Sequence, residues 1–138
     1  MEKKYNLYNI IFGWLSFAGG AIVYLLTMEP TVSLWDCGEF IATAAKLEVG
    51  HPPGAPLFLM LGRFFALFAS DASQIAASIN AMSALASAAT IMFLFWTITH
   101  LAKKFFSSSN LSTSQIIAII SSGFIGAAAY TFSDTFWF

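Results

Sequence analysis

Charge is scarce in this sequence. Only 9% of its 138 residues are Asp, Glu, Lys or Arg, against roughly 25% in soluble domains. A chain so poor in charge cannot cover a water-facing surface. Its 58% hydrophobic content and mean hydropathy of +0.75 place it in a membrane. A basic excess is also missing. Six bases stand against seven acids and are scattered, which argues against nucleic acid as a partner. The single cysteine, Cys37, excludes an internal disulfide and any cysteine-based zinc site. Its neighbour Asp36 disfavours the thiolate that a catalytic cysteine needs. There are no internal repeats.

What is present is long apolar runs. A spanning helix needs about 20 mostly apolar residues, and three segments fit: Asn9 to Thr27, Ile75 to Thr99 and Gln115 to Phe132. The first follows Lys3 and Lys4 like a signal peptide. It is too long for a cleaved one and no clear A-x-A site follows, so it reads as a retained span. Ser112 and Gln115 form a capping-box pattern ahead of the third. Pro56 to Ala69 is equally apolar but short, and Arg63 stands near its middle. Runs of about 10–14 apolar residues are more often interfacial or buried than spanning, and an arginine at mid-bilayer costs about 2.5–3.5 kcal/mol. This segment is therefore expected to lie flat in the outer interface, with Arg63 reaching the headgroups.

Charge placement supports three spans. With the N-terminus inside, Lys3, Lys4, Lys103 and Lys104 are all cytoplasmic, as the positive-inside rule requires. Glu29, Asp36, Glu39, Glu48, Asp71 and Asp134 then lie outside, with Lys46 and Arg63. Trp35 and Trp137 at the outer ends, and Tyr5, Tyr8 and Trp96 near the inner ends, suit aromatic belts. In the second span Ala76, Asn80, Ser83, Ser87 and Thr90 share one helix face. Such a stripe permits close helix packing, or contact with a ligand through Asn80. Ser107 to Ser114 is a polar loop, and its sequon at Asn110 is read as chance on the cytoplasmic side.

Residues 28–74 form a long outer connection that holds most of the charge, and long connections tend to be functional. Asp36 to Leu47 reads as an amphipathic helix with Asp36, Glu39, Thr43 and Lys46 on one face. Two carboxylates one turn apart beside a membrane can have a raised pKa, through partial burial and mutual repulsion. That is one way to make a general base or a metal-ligand pair. The same spacing suits a plain surface helix whose polar face is wet. Next comes Gly50-His51-Pro52-Pro53-Gly54-Ala55-Pro56. Pro52 keeps His51 out of helical backbone, the prolines hold the chain extended, and Pro56 suits a helix first turn. His51 is thus presented on a stiff strut, or is merely a solvent-exposed residue in a rigid turn.

The run Trp35-Asp36-Cys37-Gly38-Glu39-Phe40, followed by Gly50-His51-Pro52-Pro53-Gly54-Ala55-Pro56-Leu57, resembles the GT-C membrane glycosyltransferases. Within them it is similar to a bacterial membrane family described as a domain of unknown function, whose eukaryotic relatives include a transmembrane protein O-mannosyltransferase. The resemblance covers nearly the whole chain and is strongest over residues 30–63. It implies an all-α integral membrane fold: three transmembrane helices, and an outer loop with two juxtamembrane helices. It also implies a polyprenyl-phosphate-linked sugar as donor, of the mannose type, and a Ser or Thr hydroxyl of a protein as acceptor. No further cofactor or metal is implied.

By the same resemblance Asp36 is the general base and Glu39 orients the acceptor or supports Asp36. His51 binds near the donor phosphate or the acceptor. Arg63 pairs with the lipid phosphate, and Asn80 stands where the O-mannosyltransferases carry an arginine ahead of their Ser-Ala-Leu run, here Ser83-Ala84-Leu85. Those enzymes have adjacent Asp-Glu, whereas Cys37 and Gly38 intervene here. The implied location is the bacterial cytoplasmic membrane.

The last residues, Thr135 to Phe138, carry no polar tail. Residues 1–138 are therefore read as the N-terminal part of a longer enzyme, inactive alone. A transferase to lipid or glycan acceptors, and a non-catalytic membrane scaffold, are the competing readings. A transporter is disfavoured because no acid or base lies inside the three spans.

Overall fold

The computed structural model describes residues 2–106 and 111–133. Asp134, Trp137 and Asn110 of the sequence reading lie outside the described residues. Five α-helices follow in order: α1 Glu2–Thr27, α2 Cys37–Lys46, α3 Pro56–Ala66, α4 Ile75–Lys104 and α5 Thr113–Thr131. A 3-10 turn, Ala72–Gln74, leads into α4. Three helical stretches are long and apolar enough to cross a membrane: α1, α4 with its leading turn, and α5. The chain is thus an all-helical integral membrane protein. The short α3 is apolar without reaching that length.

Two helices outrun the predicted spans. α1 begins at Glu2, ahead of Asn9, and α4 continues past Thr99 to Lys104. Each extension is a polar turn joined to an apolar run, since helical backbone satisfies its own hydrogen bonds in lipid or water alike. Lys103 and Lys104 sit in the last turn of α4, where the helix dipole favours cations. At the start of α5, Ser112 accepts from the Gln115 backbone and the Gln115 side chain accepts from the Ser112 backbone, so the capping box is formed.

By backbone contacts the chain falls into two compact units, residues 1–23 with 87–138, and residues 24–86. In the first, α4 packs on both α1 and α5. Tyr5 Oη donates to the Thr99 carbonyl at 3.4 Å, Trp96 Nε1 to the Asn9 carbonyl at 3.0 Å, and Lys103 Nζ lies 3.4 Å from Glu2 Oε1. These pairs run in opposite directions along the two helices, so α1 and α4 are antiparallel. Gly13 lets the Trp96 indole lie on α1, because a Cβ there would overlap the ring. Phe95 and Thr99 are fully buried and meet α5 at Gly123, where an added Cβ would stand 2.5 Å from Thr99 Cγ2.

Tyr5 and Trp96 therefore face the bundle and not a lipid belt, because their polar atoms find backbone carbonyls there. The small-residue stripe of α4 is only partly packed: Ala76 lies against the core, and Asn80 and Ser87 are half-buried. Ser83 and Thr90 are exposed, while Ile79, Ala88, Ile91 and Phe95 are buried. The inward side mixes large apolar residues with alanines, Ala84 and Ala88 among them.

In the second unit, α2 and α3 cross over the first turns of α4. The core is Ile41, Ala44, Leu59, Ala66, Ile79 and Met82. At the crossing, a Cβ on Gly62 would lie 2.9 Å from Ala44 Cβ, and Ala44 itself is 0% exposed. Asp71 caps the 3-10 turn by accepting from the Ser73 backbone at 2.7 Å, and Ser70 N–H donates to Gln74 Oε1 at 3.1 Å.

Candidate functional site

α2 starts at Asp36 in an unusual way. Trp35 takes a left-handed φ of 64° and is 96% exposed. Asp36 follows at φ −77°, ψ 4°. A capping side chain normally folds back from extended backbone. Asp36 is not extended and makes no side-chain cap hydrogen bond. Its carbonyl accepts from Phe40 N–H at 3.0 Å, while its carboxylate is left at an exposed position.

One turn on, Glu39 is engaged twice. His51 N–H donates to Glu39 Oε1 at 2.7 Å, and His51 Nδ1 lies 2.9 Å from Glu39 Oε2. The contact brings together residues twelve positions apart. Gly50 makes room for it, since a Cβ there would stand 3.0 Å from Glu39 Oε1. The Phe40 ring meets the imidazole edge-on, with centroids 6.1 Å apart, and meets Phe58 of α3 in the same way at 5.7 Å. Gly50 and Phe40 stand in the sequence motifs but were given no role there, and the one usable signal was a glycine directly before the histidine.

The electrostatics follow. The hydrogen bond from the His51 side chain holds the Glu39 carboxyl below its ordinary 4.5, helped by the His51 backbone N–H. The same side-chain bond, then the Glu39 charge and a smaller attraction from Asp36, lift His51 above 6.5. The expectation that crowding raises a carboxylate is thus reversed at Glu39. An imidazole, not a second carboxylate, is the titratable group it contacts.

His51 is not on an extended strut. Gly54 N–H donates to the His51 carbonyl at 3.0 Å, so residues 51–54 close a turn, completed by Gly54 at φ 78°, a region glycine enters freely. The Pro52–Pro53 peptide is cis. Pro56 does open α3 as its first residue.

Thr43 was placed on the wet face of α2 but is buried. Its hydroxyl donates to the Glu39 carbonyl at 2.7 Å, which makes burial of the group affordable. α2 ends in a Schellman arrangement. Leu47 N–H donates to Ala44 O at 3.3 Å and Glu48 N–H to Thr43 O at 2.9 Å, with Leu47 left-handed at φ 55°.

Arg63 does not simply point to the headgroups. Its Nη1 donates to the Ala45 carbonyl at 2.6 Å, where the last carbonyls of α2 carry the negative end of its dipole. Asn80 Nδ2 donates to the carbonyls of Glu29 at 2.8 Å and Thr31 at 2.9 Å, so it ties the chain after α1 onto α4. The structure thus brings Asp36, Glu39 and His51 together, and uses Arg63 and Asn80 as ties between segments. Cys37 packs beside the core. Among the described residues no group of three or more His, Cys, Asp or Glu is placed to hold a metal ion.

An integral membrane protein with a small polar site on the segment between two of its spans is the class that fold and site define. Its family is shown by comparison. The family model for the Protein O-mannosyl-transferase TMEM260 N-terminal domain matches residues 36–138, beginning at Asp36 itself, and the chain belongs to this family. The Protein O-mannosyl-transferase tmem260 of Dictyostelium discoideum is 36% identical over 85 residues, which is 61% of this chain and 10% of that protein. The Protein O-mannosyl-transferase TMEM260 of Mus musculus is 36% identical over 87 residues, 62% of this chain and 12% of its own length. The chain therefore aligns with only about a tenth of each of these relatives. No solved structure matches it significantly.

Proposed function

We propose that residues 1–138 are the N-terminal part of a GT-C-type protein O-mannosyltransferase. Sugar passes from a polyprenyl-phosphate donor to a Ser or Thr hydroxyl on the outer face of the membrane. The segment 28–74 lies outside, the N-terminus lies in the cytoplasm, and the membrane is the bacterial cytoplasmic one. The observation that carries this reading is the open carboxylate of Asp36 beside a Glu39 already bound to His51.

The roles follow from that difference. Glu39 spends both oxygens on His51, so it is a poor base and a good positioner. Asp36 is left to take the acceptor proton as the hydroxyl oxygen attacks the anomeric carbon. The bond from that carbon to the lipid phosphate oxygen breaks, and the phosphate leaves with its electron pair. Attack opposite the leaving group inverts the anomeric centre. His51, its proton affinity raised by Glu39, offers Nε2–H to the phosphate as a charge-assisted donor. Arg63 keeps further guanidinium donors beyond the one on Ala45 and contributes to the same phosphate. Asn80 acts by holding residues 29–31 ahead of Asp36.

The test is turnover by the purified full-length enzyme with polyprenyl-phosphate-mannose and a Ser/Thr peptide. Loss of a general base costs about 10²–10⁴-fold, so Asp36→Asn is expected to lower kcat by that range with the protein still in the membrane. Unchanged turnover would favour the scaffold reading. Turnover only with lipid or glycan acceptors would move the acceptor class. Residues 1–138 alone are expected to be inactive.

A further inference from the structure

Outside this site, the first unit carries an apolar groove with one charged end. It lies between α1 and α5 with a volume of about 560 Å³, inside the range of small-ligand sites. Lys4, Tyr8 and Thr113 line one end, and Phe12, Ile117 and Phe124 line its length. Ile117 and Phe124 are 61% and 49% exposed, so α1 and α4 leave this face of α5 uncovered.

Two features say what fits. The first is charge. Among the described residues Lys4 has no ion-pair partner, while Glu2 at the same end is taken by Lys103 at 3.4 Å. Lys3 precedes Lys4, and Lys104 follows Lys103, so this end of the unit carries a cationic surplus. The second is length. The groove follows α5 from Thr113 to Ile125, which at 1.5 Å per residue is about 18 Å. Half of a roughly 30 Å hydrocarbon core is about 15 Å. The groove thus matches a single leaflet, with its cation at headgroup depth.

We infer that this groove binds an anionic diacyl phospholipid, with the phosphate on Lys4 and an acyl chain along Phe12, Ile117 and Phe124. The full-length protein in vesicles would be treated with phosphatidylglycerol carrying a diazirine on its acyl chain, and labelled peptides mapped by mass spectrometry. Label is expected on residues 113–125, competed by phosphatidylglycerol and not by phosphatidylcholine. One basic residue near an anionic surface contributes a preference of about fivefold. Lys4→Gln should therefore lower labelling about that much, Lys4→Arg should preserve it, and Lys103→Gln should change it little. The inference is overturned by equal competition from phosphatidylcholine, by stronger competition from a polyprenyl phosphate, by labelling indifferent to Lys4→Gln, or by no label there because another helix of the protein fills the groove.

Discussion

At the scale of single residues, two acids one turn apart have come to different ends. Asp36 and Glu39 differ in what the chain brings to them. Glu39 meets the backbone and ring of His51, and Asp36 meets no cap partner. The resulting pH dependence has a definite sign. His51 is raised from 6.5, so its share of the pair's stability is whole below 6.5 and is lost as pH climbs through the raised value. Glu39 is lowered from 4.5, so its share is whole above 4.5 and is lost as pH falls through the lowered value. The pair is therefore fully formed between about pH 4.5 and 6.5 and loosens on either side. An NMR titration should find His51 above 6.5 in the native chain, and Glu39→Gln should bring it back toward 6.5. A His51 that titrates identically in both proteins would mean the pair is not formed. Asn80 invites a second test. Asn80→Ala removes two donors from the carbonyls of Glu29 and Thr31, and limited proteolysis should then cut residues 28–35 faster. Unaltered cleavage would deny Asn80 its tying role.

At the scale of elements, the crossing of α2 over α3 holds the site. Phe40 links the imidazole to Phe58, and the backbones approach because position 62 has no side chain. Gly62→Val would force its methyl groups against Ala44 and Ile79. Overpacking of this kind costs about 1–3 kcal/mol, which thermal denaturation in detergent should register as a lower Tm. The same variant should reduce the His51–Glu39 coupling seen by NMR. A wild-type Tm would show that the crossing is looser than its distances indicate. Arg63 adds a bond from α3 to the last turn of α2, so Arg63→Lys, which lacks the planar fork, is expected to weaken the same crossing more mildly.

At the scale of the whole molecule, three helical stretches among the described residues are long enough to span and α3 is not. Lysines 3, 4, 103 and 104 close one end of the first unit, as the Glu2–Lys103 contact shows. With the positive-inside rule, the proposed topology follows. Single cysteines introduced at Lys4 and Lys104 of a Cys37→Ser chain should react with a membrane-impermeant maleimide only after the bilayer is opened. Cysteines at Ser33 and Glu48 should react in intact cells. Reaction of Lys104→Cys from outside while Lys4→Cys stays protected would require α3 to cross the membrane, whereas reaction of both from outside would invert the topology, and the proposed location of Asp36 would fall with it.

What was legible in advance was what depends on local chemistry. The three spans, the Ser112–Gln115 box, Pro56 at a helix start and the amphipathic α2 all follow from runs, periods and caps that a chain carries within a few residues. Even there the polar flanks of α1 and α4 were lost, because hydropathy sees the lipid-soluble stretch and not the helix that continues beyond it. The family resemblance was carried by residues 35–57, and the comparisons support it.

The pairing inside the site was decided by the fold. Nothing in the spacing of Asp36 and Glu39 says which of them receives His51. That choice depends on a turn at residues 51–54, on the missing side chain at Gly50, and on a helix crossing at Ala44 and Gly62. The same is true of Arg63 and Asn80, whose donors reach backbone carbonyls that sequence distance does not reveal. Composition and periodicity determine which segments enter a membrane, since burial in lipid sums over many residues. The charge on a particular carboxylate is set by one or two neighbours at hydrogen-bond distance, and only tertiary structure supplies those.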